Sequence, residues 1–311
     1  MKVVKDFIWE ENSNVEDFVE KLGSIGFQAS ELFKASNTII RMKRAGAKIF
    51  LTFTSNMVTS GLRSLFAQQI KYKLADVIVT TVGGIEEDIM RATGEKFMLS
   101  SYFSDDVELH EKGMNRVGNL LINNESYERF EDSITNMLKE IYSRKKRLSV
   151  SELLNEIGLK LDDENSILYQ AAKNNVPIFC PAITDGSFGF HLYLFQQENP
   201  DFIIDVVKDF KELISATGFD EKKGVIALGG GVSKHHAILG TLINGGMDYA
   251  VYITTSQAYS GSMSGATTQE AKSWGKIKDD ADATTVIGEV TLVYPLVISY
   301  VFKTLKDEGL I

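Results

Sequence analysis

Cysteine is nearly absent. Of 311 residues only Cys180 carries a thiol, which rules out an intrachain disulfide framework and a cysteine-based zinc site and suits a reducing compartment. Cationic charge is short as well. The 33 lysines and arginines face 42 acids, a net charge of −9, which excludes the basic surface that bulk nucleic-acid binding needs and suits a cationic substrate. Long apolar runs are missing: the longest lies within residues 290–302, is too short to span a bilayer and contains Pro295. Lys2, Lys5, Asp6, Glu10 and Glu11 charge the N-terminal stretch, where a signal peptide would need an apolar core. No Pro-rich linker, internal repeat or low-complexity tract marks a boundary. The expectation is a cytoplasmic protein with a single domain over residues 1–311.

What is present is an alternation. Residues 1–46 read as helical, with Asn14 as an N-cap, apolar spacing at Phe18, Leu22 and Phe27, and a second amphipathic helix over 28–44. Short apolar stretches then recur at 48–54, 76–81, 176–181, 224–228, 249–254 and 284–287. Helical patterns cover 61–74, 125–147, 148–158, 163–174 and 201–216, and a last helix is entered near Glu289. Residues 94–123 show no regular period. Strands that are apolar throughout, each followed by a polar or Gly-rich turn and usually by a helix, predict an α/β fold: a doubly wound parallel sheet with helices on both faces and an added helical N-terminal segment.

In such a sheet, ligands gather at the carboxyl ends of the strands. The turns there carry Asn56, Thr81 to Gly84, Asp185, Gly229 to Gly231, Thr255 and Glu289, so these are expected along one edge. The triple glycine permits close backbone approach to a phosphate at a helix N-terminus, or serves only a tight turn. Glu86 and Glu87 either complement the dipole of the helix they open or face a ligand. His235 and His236 are adjacent, so at most one faces the pocket. One of them is a proton-transfer candidate or a surface cap, and no further ligands nearby suggest a metal. The longest polar stretch, residues 255–277, reads as a loop over the end of a strand. It closes on Trp274, Gly275 and Lys276. The tryptophan is either core or stacked on the amine; the lysine, if walled by apolar groups, is a nucleophile toward carbonyls and imines.

The motifs SNMVTSG at 55–61, TVGGIEED at 81–88, FCPAITDGS at 179–187, GGGVSKHH at 229–236 and EAKSWGKI at 270–277, in this order, resemble the deoxyhypusine synthase family from about Gly26 to the last helix. The resemblance implies a Rossmann-like fold, NAD as cofactor, and a homotetramer with sites at dimer interfaces. It implies a transferase that oxidises spermidine with NAD, moves the butylamine part onto a lysine as an imine, passes it to a lysine of the translation initiation factor 5A precursor and reduces it there. Carried onto this sequence, Lys276 is the imine-forming lysine and His235 the proton-transfer group. NAD is expected at Ser55, Asn56, Thr59, Thr81, Gly83, Glu87, Asp185, Gly230, Thr255, Ser256, Glu289 and Val290. The amine is expected at Glu86, Glu87, His235, Glu270 and Trp274.

Departures stand where the family has polar amine-binding groups. Phe190 and Met263 occupy aspartate positions, and Leu239 occupies an asparagine position. Glu289 and Val290 replace an aspartate and an alanine beside the cofactor. A buried ammonium that loses its partner is costly. The sequence therefore leaves open a spermidine-using deoxyhypusine synthase, a relative using a different small amine donor or acceptor (putrescine, agmatine, or a homospermidine-forming reaction), and a non-catalytic NAD-binding homologue.

Overall fold

The apolar stretches do become parallel strands, and their burial shows why. All six residues of Lys223–Leu228 are buried, so both faces of that strand are covered, as continuous apolar patterning requires. The computed structural model describes residues 3–311, which form two compact units. The first contains the chain up to Phe53, Tyr72–Val79 and Glu212–Ile311; the second contains Thr54–Lys71 and Thr80–Lys211.

In the first unit the strands lie in the order Ile277–Ile287, Met247–Thr254, Lys223–Leu228, Lys48–Thr52, Val77–Val79, each parallel to its neighbours. Phe50 stands opposite both Val77 and Val225, and Tyr252 opposite Ala227 and Thr285. Helices Gln28–Arg44 and Val290–Asp307 pack on each other and on Met247–Thr254. Gly224 makes this possible, because a Cβ there would stand 2.7 Å from the Met42 sulfur. Helix Gly231–Gly240 packs on Lys48–Thr52, Val77–Val79 and Lys223–Leu228. Among the described residues no helix is long and apolar enough to cross a membrane.

The stretch after Thr254 differs from the expected loop. It passes through a short turn at Ala258–Ser260 and helix Thr268–Ser273, then enters a strand that begins at Ile277, seven residues before the expected start. Because Ile277–Ile287 runs parallel to Met247–Thr254, the connection must carry the chain back to the starting end of the sheet. It is a crossover. The carbonyl of Lys276 accepts a hydrogen bond from the amide of Met247, the first residue of the neighbouring strand, at 3.1 Å.

The second unit is mainly helical. Residues 94–123, expected to be irregular, contain an antiparallel sheet of Met98–Leu99, Leu120–Asn123 and Met114–Val117. Its hairpin turns on Gly118, φ 61°, and Asn119, a glycine-first two-residue loop that the sequence does display. The helix expected over 125–147 stops at Tyr142, and Arg147–Leu148 instead pairs with Ile203–Ile204.

Asp88, fully buried on helix Val82–Ala92, ties this unit together. It forms an ion pair with Arg63. It also accepts from Ser166 Oγ at 2.8 Å and from the amides of Ile167 and Leu168 at 3.1 and 2.9 Å, so it caps helix Ile167–Asn174 from a neighbouring helix. Arg63 reaches Asp163 as well, at 2.6 Å. Removing one partner strands a buried charge, so Asp88→Ala is expected to lower stability by about 3–5 kcal/mol. Breaking the exposed Lys71–Glu164 pair should cost under about 1 kcal/mol. Urea unfolding of both variants checks this; equal effects would contradict it.

Candidate active site

In the first unit a narrow, partly open cavity of only about 10 Å³ lies between helix Gly231–Gly240, strand Met247–Thr254 and the crossover. Lys276 lines it and is 6% exposed. Its Nζ lies 5.2 Å from the centroid of the Trp274 ring. Trp274 itself is 64% exposed, so it is not a core residue: one side of the indole covers the amine while much of the ring stays open. Ile238, Tyr252, Met263, Ala266 and Ala271 supply the other uncharged walls, and Glu270 is the single carboxylate among the lining residues. Met263 is among the lining residues. Leu239 does not line this cavity, because its neighbour Ile238 turns toward it instead.

The crossover explains how a lysine whose backbone sits at the start of a strand reaches this place. Glycine at 275 adopts φ +68°, which turns the chain from the helix end into the strand. The long lysine side chain then spans the remaining distance to the cavity. His235 sits where burial, and after it the charges of Lys276 and Lys234, lower its pKa below the ordinary value. The imidazole is therefore neutral near pH 7 and able to accept a proton. Burial pulls His236 down to about 4. Sequence reasoning passed over Lys234, although it lies inside the quoted glycine–histidine motif; it lines the same cavity, as does Tyr252.

At the carboxyl ends of these strands, Gly229 and Gly231 hold φ +77° and +65°. A Cβ on Gly230 would stand 2.5 Å from Ser264 Cα, so the triple glycine is required by close approach as well as by the turn. Thr255 is exposed and Ser256 half-buried. Glu289 N-caps helix Val290–Asp307, accepting from the Leu292 amide at 3.0 Å, and Val290 is buried.

In the second unit, helix Val82–Ala92 starts at Val82, so Glu86 and Glu87 lie in its second turn and do not open it. Both are buried, which removes the dipole explanation. Glu86 accepts from the Phe188 amide at 2.8 Å. Gly186 allows this, since its Cβ would stand 3.1 Å from the Glu86 carboxylate. Burial, opposed by the Thr59 hydrogen bond and reinforced by the charge of Glu86, brings Glu87 up to about 8. Thr59 Oγ1 lies 2.6 Å from Glu87 and 3.1 Å from the Ser55 carbonyl. One hydroxyl proton serves only one of these, and a protonated Glu87 supplies the other. Ser55 donates its amide to Thr81 Oγ1 at 3.0 Å, and a Cβ on Gly83 would touch the Ser55 side chain at 2.7 Å. Ser55, Thr59, Thr81, Gly83 and Glu87 are therefore neighbours. Tyr127, on helix Asn124–Tyr142, was not anticipated: burial and the charges of Glu86 and Glu87 push its phenol up to about 12. Asn56 and Asp185 are exposed. Phe190 is 58% exposed on helix Ser187–Glu198, beside Tyr193.

Glu87 generates a pH signature. Its folded pKa stands above its unfolded value, so its favourable contribution is complete below the unfolded pKa of 4.5 and is lost as pH rises through about 8. Stability measured between these limits should fall more steeply in the native chain than in Glu87→Gln; identical slopes would show that the carboxyl is ionised throughout.

Comparison with known proteins identifies the family. Residues 17–301 match the family model described as deoxyhypusine synthase. A protein of Thermoplasma volcanium named "Probable deoxyhypusine synthase" is 42% identical over 301 residues, covering 96% of each chain. The deoxyhypusine synthase of Senecio vernalis is 35% identical over 336 residues, covering 98% of this chain and 90% of its own. A crystal structure from Entamoeba histolytica, of a protein carrying the same family name, superposes with a TM-score of 0.70 at 29% identity and covers 96% of this chain and 97% of its own. On its motifs, its parallel α/β fold and its match along nearly the whole length, the chain belongs to the deoxyhypusine synthase family.

Proposed function

We propose that this chain is an NAD-dependent aminoalkyl transferase that carries the butylamine part of spermidine on Lys276 to a lysine of the translation initiation factor 5A precursor. One observation carries the reading: a lysine 6% exposed, beside an indole, in a cavity with a single carboxylate. A surface lysine has no reason to be there, and an amine kept from water is suited to attack an imine carbon. The attack forms a new carbon–nitrogen double bond to Lys276 and releases the other half of the donor as its amine. His235, neutral and close enough to feel the charge of Lys276, exchanges protons with the nitrogens involved. Trp274 lies over the amine and Glu270 is positioned to receive a donor ammonium.

The residues present suit a dinucleotide. The Gly229–Gly231 turn leaves no room for a side chain against Ser264 and opens a ten-residue helix, the arrangement that receives phosphate. Of the residues the resemblance assigns to NAD, Gly230, Thr255, Ser256, Glu289 and Val290 belong to the first unit; Ser55, Asn56, Thr59, Thr81, Gly83, Glu87 and Asp185 belong to the second. When bound, NAD supplies reversible hydride acceptance. Because the chain passes between the units after Phe53, Lys71, Val79 and Lys211, neither unit is one continuous segment, which favours residues 1–311 acting as a single domain. A homotetramer with sites at dimer interfaces and a cytoplasmic location complete the proposal.

A second reading has its own support. Met263 lines the cavity where the family resemblance implies an aspartate, and the lining residues hold two lysines against one carboxylate. That balance disfavours a polycation and favours a donor with less charge, such as putrescine or agmatine.

Borohydride reduction in the presence of NAD and an amine donor should fix an alkyl group on Lys276, and Lys276→Ala should yield none; absence of any adduct across a panel of amines would end both enzymatic readings. On the second reading spermidine is expected to react slowly, and Phe190→Asp combined with Met263→Asp to raise its turnover. No gain from that pair would remove the second reading.

A further inference from the structure

Helix Gly231–Gly240 buries a second lysine that the proposed chemistry leaves unused. Lys234 is 1% exposed, and among the described residues no carboxylate forms an ion pair with it. Its Nζ donates to the carbonyl oxygens of Ala266 at 2.9 Å and Ser264 at 3.2 Å and lies 4.7 Å from the centroid of the Tyr252 ring. Glu270 is near enough to act on it by charge but not to pair with it; an ammonium buried without a direct ion pair is a poor way to fill space, and an apolar side chain of similar volume would serve packing better. The interaction must therefore do something that packing alone does not.

What it holds is the wall of the Lys276 cavity. Residues 260–266 read SGSMSGA, a composition with high backbone entropy. Within it, Met263 and Ala266 line the cavity. The segment is gripped elsewhere too: Gly231 donates its amide to Ser264 Oγ at 2.9 Å, and a Cβ on Gly265 would stand 2.1 Å from the Gln257 carbonyl. Those contacts hold the Ser264 hydroxyl and the Gly265 backbone, and the carbonyls of Ser264 and Ala266 remain to be satisfied near the cavity. Lys234 meets both from one ammonium.

We propose that Lys234 is a positioning residue: it ties the carbonyls of Ser264 and Ala266 to helix Gly231–Gly240 and thereby fixes the Met263 and Ala266 wall around Lys276. Its effect on donor binding rests on the transferase reading; the tie itself does not.

The test uses the full chain and two variants. Lys234→Met keeps the volume but removes the donors, and Lys234→Arg keeps the charge and the donors. In Lys234→Met, hydrogen exchange at the Gly265 and Ala266 amides should be at least about tenfold faster, while exchange in strand Lys223–Leu228 is unchanged. KM for the donor should rise by more than kcat falls, and Lys234→Arg should recover much of both. Unchanged exchange across residues 262–267 would overturn the proposal. So would equal acceleration in that segment and in the strand, since Lys234 would then only support the fold. If the native chain forms no trapped adduct with any donor, the transferase reading fails, and the exchange measurement still decides whether the tie exists.

Discussion

An amine shielded from water by an indole is the constraint around which the first unit is arranged. Lys276 is 6% exposed although lysine is rarely buried. Reaching that state requires three features of the chain together. A parallel strand pair demands a crossover, the crossover ends in the left-handed Gly275, and Trp274 lies immediately before the turn. The opposite wall comes from helix Gly231–Gly240 and from Tyr252 on the adjoining strand. Moving the strand register by one residue would turn Tyr252 to the other face of the sheet and open the cavity.

The second unit faces a related difficulty with carboxylates. Glu86, Glu87 and Asp88 are consecutive and all buried on one helix. Successive helical residues point about 100° apart, so each meets a different set of donors. Asp88 finds Arg63 and a helix N-terminus, Glu86 a backbone amide, and Glu87 only Thr59. Glu87, desolvated and beside the charge of Glu86, is the glutamate brought up to about 8. Three identical-looking acids thus acquire a structural role, an ionised or ionisable contact and a protonated carboxyl, by environment alone.

Legibility followed the range of the interactions. The buried strands were readable because apolar runs bounded by glycine and polar turns are local patterns, although the strand expected at 284–287 begins at Ile277. The Met114–Asn123 hairpin was missed because its strands are short and half exposed, although Gly118 and Asn119 marked the turn. Lys276, Trp274, Glu270 and Met263 were readable as a group because they lie within fourteen residues of one another. Lys234 was overlooked because a lysine next to two histidines gives no sign of which way it points.

By itself, then, the order of residues determined the α/β class, the parallel sheet, the turns that carry polar groups and the family, since each rests on local spacing or on motifs in sequence. Only the tertiary structure decided that residues 255–277 form a crossover, that Lys234 is buried against Ser264 and Ala266, and that burial raises the Glu87 pKa while Asp88 is paired. Those outcomes depend on partners far away in the chain and on how much water is excluded. Burial is a property of packed neighbours, and no stretch of sequence read alone contains it.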